Sequence, residues 1–370
     1  MKIVQLNPFH YPYMGGIEHR IHNIAKRLGS KHEVIVLTAR LPGTKADENM
    51  DGYRVIRLTS NFMDLYNPPY VRTDGIKAAL DKLDPDVIDF HYRWAPSYTR
   101  AFSSYEGPKV FTFHNTYGEG AGLTRSLSVL NDMLFMRHLI QCQRIVCVSE
   151  FVMNDLISRG IPAKMMEAIP NGIEAAKMPS IESDHILFVG RLVNTKGLPY
   201  LIKAMKQVDG RLLIVGSGPE RARLERMVET LGLKDNVEFL GKVDEDRKHR
   251  LLSECLAFIM PSTFESYGIA AAEAMTYGKP VIATKIGGLP EVVDGGGILV
   301  PPKDPQALAD AMNLLLSNVQ RRRSLGAIAK QKSERYSWDT VAAEMERIYS
   351  EAASCQPHFS ADRDDMNREL

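Results

Sequence analysis

The chain has 370 residues, with 46 Lys and Arg against 45 Asp and Glu, for a formal net charge of +1. At roughly 150 residues per domain, this length holds two domains or a little more and excludes a single small module. A near-neutral balance argues against bulk phosphate-backbone binding, which needs a basic excess, and against a disordered acidic chain, so no nucleic-acid partner is expected.

In chain order, short apolar runs rich in Val, Ile and Phe predict strands at 2–6, 33–38, 87–90, 109–114, 144–149, 186–190, 211–215, 237–240, 257–260, 281–284 and 297–300. Continuous apolar runs bounded by turn residues suit strands buried on both faces of a parallel sheet. Amphipathic stretches at 17–28, 197–208, 220–231 and 306–317 alternate with them and predict helices. The alternation implies βαβ units with right-handed crossovers. The turn-rich segment Ile169-Pro170-Asn171-Gly172-Ile173-Glu174 precedes Pro179, after which the alternation restarts. The expected fold is therefore α/β, with two Rossmann-like doubly wound domains facing across a cleft. Their expected bounds are 1–175 and 176–335, followed by a last helix within 336–355 that crosses back to the first half, with Ser337 as its N-cap, and a disordered tail at 356–370. In such domains ligands bind in loops beyond the strand C-terminal ends.

Cys142, Cys147, Cys255 and Cys355 form no CxxC pair and match no zinc spacing, so no metal is expected and the thiols suit a reducing compartment. No apolar run reaches the roughly 18 residues of a membrane span, and the first one breaks too early for a signal peptide. A cytoplasmic protein is expected. The stretch 123–140 has apolar residues at helical spacing together with Arg125, Arg137 and His138. It reads as an ordinary surface helix or as a peripheral contact to anionic lipid at the inner membrane face.

The most informative stretch runs Pro261-Ser262-Thr263-Phe264-Glu265-Ser266-Tyr267-Gly268-Ile269-Ala270-Ala271-Ala272-Glu273-Ala274-Met275. A strand ends, a loop carries Glu265, and a helix is expected to open near Ser266–Gly268, with Glu273 two turns on. A helix N-terminus with a close-approach glycine seats a diphosphate. A carboxylate beside it makes sense if it grips hydroxyls of a sugar attached to that phosphate. The plainer alternative is an acid on the helix dipole and a solvated Glu273.

This segment resembles the Glu-x7-Glu signature of family 4 retaining glycosyltransferases, which have the GT-B fold. Gly287-Gly288-Leu289-Pro290-Glu291 resembles the family's GGxxE segment, and Gly190-Arg191-Leu192-Val193-Asn194-Thr195-Lys196-Gly197 its G-R-L-x-x-x-K-G. Pro170-Asn171-Gly172-Ile173, Gly15-Gly16 and Phe113-His114 resemble its interdomain turn, N-terminal glycine loop and S/T-F-H segment. The resemblance covers about residues 1–353 in consistent order. It implies that Glu265 contacts donor-sugar hydroxyls and Glu273 the ribose. The backbone of Ser266, Tyr267 and Gly268 would bind the diphosphate, and Arg191 and Lys196 would neutralise it. His114 would contact the donor sugar, through its 6-hydroxyl. The backbone of Gly15 and Gly16 would approach phosphate and sugar, unless the pair is only a structural turn. Gly241-Lys242-Val243 lies where the family holds the base, with Val243 as the apolar side chain. Glu18 and His19 could cap the first helix or meet the acceptor.

Cations fixed at a leaving diphosphate stabilise the charge it gains. Two of them can replace a metal, and no DxD ends a predicted strand; Asp84-Pro85-Asp86 precedes one. Val215-Gly216-Ser217-Gly218-Pro219-Glu220 fails the dinucleotide fingerprint, since Arg221 stands at its third glycine. The expected function is metal-independent, retaining, front-face transfer of a hexosyl group, with no cofactor. The donor is a UDP-, GDP- or ADP-sugar, and the acceptor is a hydroxyl on a sugar, glycan or lipid-linked molecule. The first domain would supply the acceptor side and the second the nucleotide-sugar side. The alternatives are a GT-B-fold phosphorylase, another nucleotide-sugar-processing enzyme, or a non-catalytic nucleotide-sugar-binding protein.

Overall fold

The structure is a computed structural model that describes residues 1–63, 69–115 and 123–355, without the side chains of 123–127. The expected tail at 356–370 and the Arg125 side chain lie outside the described residues. The chain divides into two compact units: Met1–Val148 with Met153–Ile169 and residues 341–355, and Ser149–Val152 with Pro170–Thr340.

The first unit holds β1 (Lys2–Leu6), β2 (Glu33–Ala39), β3 (Asp47–Met50), β4 (Tyr53–Leu58), β5 (Ser60–Met63), β6 (Tyr70–Thr73), β7 (Val87–Phe90), β8 (Lys109–Phe113), β9 (Arg144–Cys147) and β10 (Met166–Ala168). Eight of them form one sheet in the order β10-β9-β8-β7-β1-β2-β4-β3, parallel except for β3 against β4. Ile3, Val4, Val87, Ile88 and Val110 are fully buried, which is why these strands read as mostly apolar runs. β4 is missing from the expected strands for the opposite reason. Its sequence alternates, with Tyr53, Val55 and Arg57 buried and Arg54 exposed, near the sheet edge. β3 is polar, β10 has three residues, and β5 and β6 form a separate hairpin. The helices are α1 (Gly16–Leu28), α2 (Ile76–Leu83), α3 (Pro96–Ser104), α4 (Leu123–Leu139) and α5 (Glu150–Ile157), the last beginning in the second unit. Helix α1 buries Ile21, Ile24, Ala25 and Leu28, the spacing of one helical face.

The second unit holds β11 (His185–Val189), β12 (Arg211–Val215), β13 (Val237–Gly241), β14 (Ala257–Met260), β15 (Val281–Thr284) and β16 (Gly297–Val300), all parallel in the order β13-β12-β11-β14-β15-β16. Its helices are α6 (Leu198–Ala204), α7 (Arg221–Thr230), α8 (Glu245–Glu254), α9 (Ile269–Thr276), α10 (Leu289–Val293), α11 (Pro305–Ser317) and α12 (Val319–Ser333). The core packs Ile186, Phe188, Leu212, Ile214 and Ile259 of the sheet against Leu201, Ile202, Leu308 and Met312 of helices. Helix α6 is shorter than expected because the chain tightens to a 3₁₀ turn at Met205–Gln207.

The last helix, α13 (Trp338–Ser354), starts in the second unit, and its residues from Val341 belong to the first. Thr340 N donates to Ser337 Oγ at 3.1 Å, so Ser337 satisfies one of the helix's orphan donors as its N-cap. Among the described residues, no helix is long and apolar enough to cross a membrane.

In each sheet the strand order reverses about the unit's first strand. β1 lies between β2 and β7, and β11 lies between β12 and β14. The crevice beyond the C-terminal ends of β1 and β7, and of β11 and β14, is where such sheets bind ligands.

Candidate active site

In the second unit, the loops leaving β11 and β14 carry the charged residues singled out by sequence. Gly197 has φ +67, and a Cβ there would stand 1.9 Å from the Pro261 carbonyl oxygen. Only glycine lets the Lys196 turn lie flat on the β14 loop. Thr263 N donates to Thr195 O at 2.7 Å and ties the two loops together. Lys196 Nζ then reaches Glu265 Oε2 at 2.5 Å, with the side chains 21% and 15% exposed. Ser262 Oγ donates to the same carboxylate oxygen at 3.3 Å.

The segment after β15 braces Glu265 from another side. Gly287 has φ +57, and a Cβ would fall 1.7 Å from Glu265 O. Gly288 N donates to that oxygen at 3.2 Å. Glu291 Oε2 accepts from Glu150 N at 3.0 Å, a negative charge at the start of α5.

The helix carrying Glu273 opens at Ile269 with Gly268 as its N-cap, and Glu265 lies in the loop before it, as expected. Gly268 itself has φ +105, outside helical geometry. Glu273 Oε1 accepts from Lys248 Nζ at 3.0 Å, and Glu245 Oε2 lies 2.8 Å from the same ammonium. Burial alone would lower the Lys248 pKa, but the two carboxylates outweigh it and hold the ammonium above its usual range. Lys248 stands on a polar surface helix without a motif, so nothing local in the sequence marks it.

The Tyr267 ring is buried, and its hydroxyl donates to Asn171 O at 3.2 Å, which secures the Pro170-Asn171-Gly172 turn. What Tyr267 can offer a ligand is its main chain. Ser266 O accepts from Ser149 Oγ at 3.0 Å. Arg191 is exposed just beyond β11, and its side chain has no hydrogen bond or ion pair among the described residues. Val243 is half-buried beyond edge strand β13, two strands away from β11. The structure thus brings together Lys196, Ser262 and Glu265, and separately Lys248 and Glu273.

In the first unit, His114 and His91 follow β8 and β7, and Asn7 follows β1. His91 Nδ1 and His114 Nε2 are 3.1 Å apart. Burial, then the Arg20 charge, pushes His91 far down. Burial, then His91, Arg20 and Arg93, does the same to His114, so both rings are neutral. Gly15 and Gly16 are exposed at the start of α1. Glu18 is buried in the first turn of α1. Its Oε1 accepts from Asn7 Nδ2 at 3.2 Å, and its Oε2 would stand 2.5 Å from a Cβ at Gly15. Burial pushes its carboxyl up to about 7. Asp86, before β7, accepts from Lys2 N at 2.7 Å. No group of three or more His, Cys, Asp or Glu among the described residues could hold a metal ion.

Two family models match the chain: "Glycosyltransferase Family 4" over residues 14–177 and "Glycosyl transferases group 1" over 176–332. An uncharacterized glycosyltransferase of Methanocaldococcus jannaschii is 32% identical over 65% of this chain and 69% of its own length. A phosphatidyl-myo-inositol mannosyltransferase of Mycobacterium leprae is 29% identical over 96% of this chain and 98% of its own. Among solved structures, HepE of Anabaena in complex with UDP and glucose matches with a TM-score of 0.77 at 21% identity, over 95% of this chain and 99% of that one. Neighbours of this kind are GT-B enzymes, and the two Rossmann-like units described above have that fold. The two adjoining family models, the relatives and the fold agree: the chain is a glycosyltransferase and belongs to glycosyltransferase family 4.

Proposed function

We propose that this glycosyltransferase moves a hexosyl group from a nucleoside-diphosphate sugar to a hydroxyl acceptor, with retention at the anomeric carbon and without a metal. The observation that carries this reading is the Lys196–Glu265 pair held at the switch point of the second unit's sheet. A carboxylate gripping sugar hydroxyls and an ammonium beside it for the phosphate are what a diphosphate sugar presents side by side. Lys196 and Arg191 stabilise the charge that develops on the departing diphosphate. Glu265 holds the donor sugar, Glu273 the ribose, and the main chain of Ser266, Tyr267 and Gly268 the diphosphate. Val243 lines the base, and His114 contacts the donor sugar. The backbone of Gly15 and Gly16 closes on phosphate and sugar. The second unit is the nucleotide-sugar side and the first the acceptor side.

In this reading the leaving phosphate oxygen takes the proton of the incoming hydroxyl on the face from which it departs, through an oxocarbenium-like state. The protein contributes position and charge more than proton transfer. The donor is a UDP-, GDP- or ADP-sugar; UDP with glucose in the HepE complex supports trying UDP-sugars first. The name of the mycobacterial mannosyltransferase supports a lipid-linked acceptor. So does α4, which leaves Val129, Leu130, Met133 and Leu134 exposed beside Arg137. We place the reaction in the cytoplasm, with α4 against an anionic membrane face. Free, buried Cys142, Cys147 and Cys255 support a reducing compartment.

The test is transfer from a panel of nucleotide sugars to sugar and lipid acceptors, in EDTA, with the product's anomeric configuration read by NMR. Products of the same anomeric configuration as the donor are expected. Inverted products, or activity only with divalent metal, would overturn the mechanism. Sedimentation with anionic vesicles should weaken in Arg137→Ala and Leu134→Ser; wild-type sedimentation in both would remove the membrane contact.

A further inference from the structure

His91 and His114 are neutral rings 3.1 Å apart, so one nitrogen donates and the other accepts. The direction of that bond decides which nitrogen of His114 is left bare, and a chain of buried groups behind His91 sets it. Asp89 accepts from Tyr349 Oη at 2.7 Å and from Thr112 Oγ1 at 3.0 Å. With its proton given to Asp89, the Tyr349 oxygen accepts from Gln5 Nε2 at 2.8 Å. The Gln5 amide is thereby oriented, and its Oε1 faces His91 Nε2 at 2.7 Å. A carbonyl oxygen only accepts, so His91 carries its proton on Nε2. Asp89 Oδ2, 3.5 Å from the same nitrogen, favours the same placement. His91 Nδ1 is then a lone pair and accepts from His114 Nε2–H. Gln5, Asp89 and Tyr349 are fully buried and His91 nearly so, which keeps bulk solvent from competing for these bonds.

We propose that Asp89, Tyr349, Gln5 and His91 form a positioning relay that fixes His114 as its Nε2–H tautomer, so that His114 meets its ligand through Nδ1 as a hydrogen-bond acceptor. His114 is 8% exposed, and its Nδ1 has no partner among the described residues. The ligand group that fits is a hydroxyl with a proton to give; a carboxylate or a bare carbonyl is disfavoured. The specificity part rests on the reading that His114 contacts the donor sugar, whereas the tautomer does not. None of the four relay residues is a catalytic residue: each acts through His114. Tyr349 comes from α13, which gives the return of the last helix to the first unit a role beyond packing.

The experiment is long-range ¹H–¹⁵N correlation NMR on full-length protein labelled at histidine, with His114→Asn used to assign the ring. The Nε2–H tautomer is expected at His91 and His114. Tyr349→Phe keeps the ring and removes the hydroxyl, so Gln5 is free to turn and His114 is expected to shift toward a mixture of tautomers. An Nδ1–H tautomer of His114 in wild type, or an unchanged spectrum in folded Tyr349→Phe, overturns the relay. With a donor in hand, His91→Leu is expected to raise the donor KM at least ~10-fold with kcat within ~3-fold, and His91→Gln, which keeps one acceptor and one donor, to restore most of it. An equal loss in both variants overturns the proposal. If His91→Leu does not fold, the wild-type and Tyr349→Phe spectra still decide. A correct tautomer in a protein that binds no nucleotide sugar leaves the relay standing and sinks the reading that His114 contacts a donor sugar.

Discussion

In the second unit the charged side chains stand in pairs: Lys196 faces Glu265 in the loops leaving β11 and β14, and Lys248 of α8 faces Glu273 of α9, all partly exposed. At the ends of β1, β7 and β8 stands a buried, hydrogen-bonded set: Gln5, the neutral rings of His91 and His114, and the acids Glu18 and Asp89, whose pKa values burial raises. The two sheets have the same switch-point topology, yet one crevice holds paired charges and the other directed hydrogen bonds. Paired ions at a half-exposed site can change partner when a phosphate arrives, because water and the ligand share the cost of separating them. Buried neutral chains cannot rearrange so cheaply, and they suit fixed orientation.

The strongest attempt to break this contrast is removal of the ions. Glu265→Ala and Lys196→Ala should each lower transfer at least ~10-fold, about 1.4 kcal/mol of barrier, and the double variant should lose less than the product of the two. Additive losses in a steady-state assay would mean that the pair is not one unit.

The first unit's buried acids predict a pH signature. Burial raises Glu18 from 4.5 to about 7, and Asp89 from 3.8 to about 7 against its hydrogen bonds from Tyr349 and Thr112. The folded state therefore holds these protons more tightly than the unfolded one, and stability should fall as pH rises from about 4 to 7, then level off. Glu18→Gln should gain on the order of 3 kcal/mol over wild type at pH 8, with little difference near pH 4. Urea unfolding at the two values checks this, and a gain independent of pH would mean that Glu18 ionises freely. A smaller effect is expected at Lys248: Lys248→Met should cost about 1 kcal/mol or less, since Glu273 and Glu245 keep partial solvent access. EDTA should change nothing in transfer rate, and a reversible loss restored by Mg²⁺ would break the picture of cations standing where a metal could.

The contrast also explains what could be read from the chain. β7, β12, β14 and β15 coincide with expected runs, because strands buried on both faces leave little alternation to misread. β4 alternates and escaped the same test. Glu265, Lys196 and the glycines that clamp their loops sit in local patterns, since a tight loop must specify each backbone angle in sequence. Helix α9 begins one residue after Gly268, a boundary that only the left-handed φ of that glycine settles. Asp89, Gln5 and Tyr349 have no local signature. Gln5 and Tyr349 are 344 residues apart, and only the path of α13 brings them together. Lys248 is one lysine among several charged residues on α8, and only its distance to Glu273 distinguishes it.

The central claim is that the second unit's switch point binds a nucleoside diphosphate through Lys196, with Glu265 reserved for the sugar. Isothermal titration of UDP, GDP and ADP into wild type, Lys196→Ala and Glu265→Ala tests it directly. One of the three nucleotides should bind wild type, bind Lys196→Ala at least ~10-fold more weakly, and bind Glu265→Ala as tightly or more tightly, because the freed ammonium has lost its competitor. No binding by any of the three, or wild-type affinity in Lys196→Ala, would contradict the account.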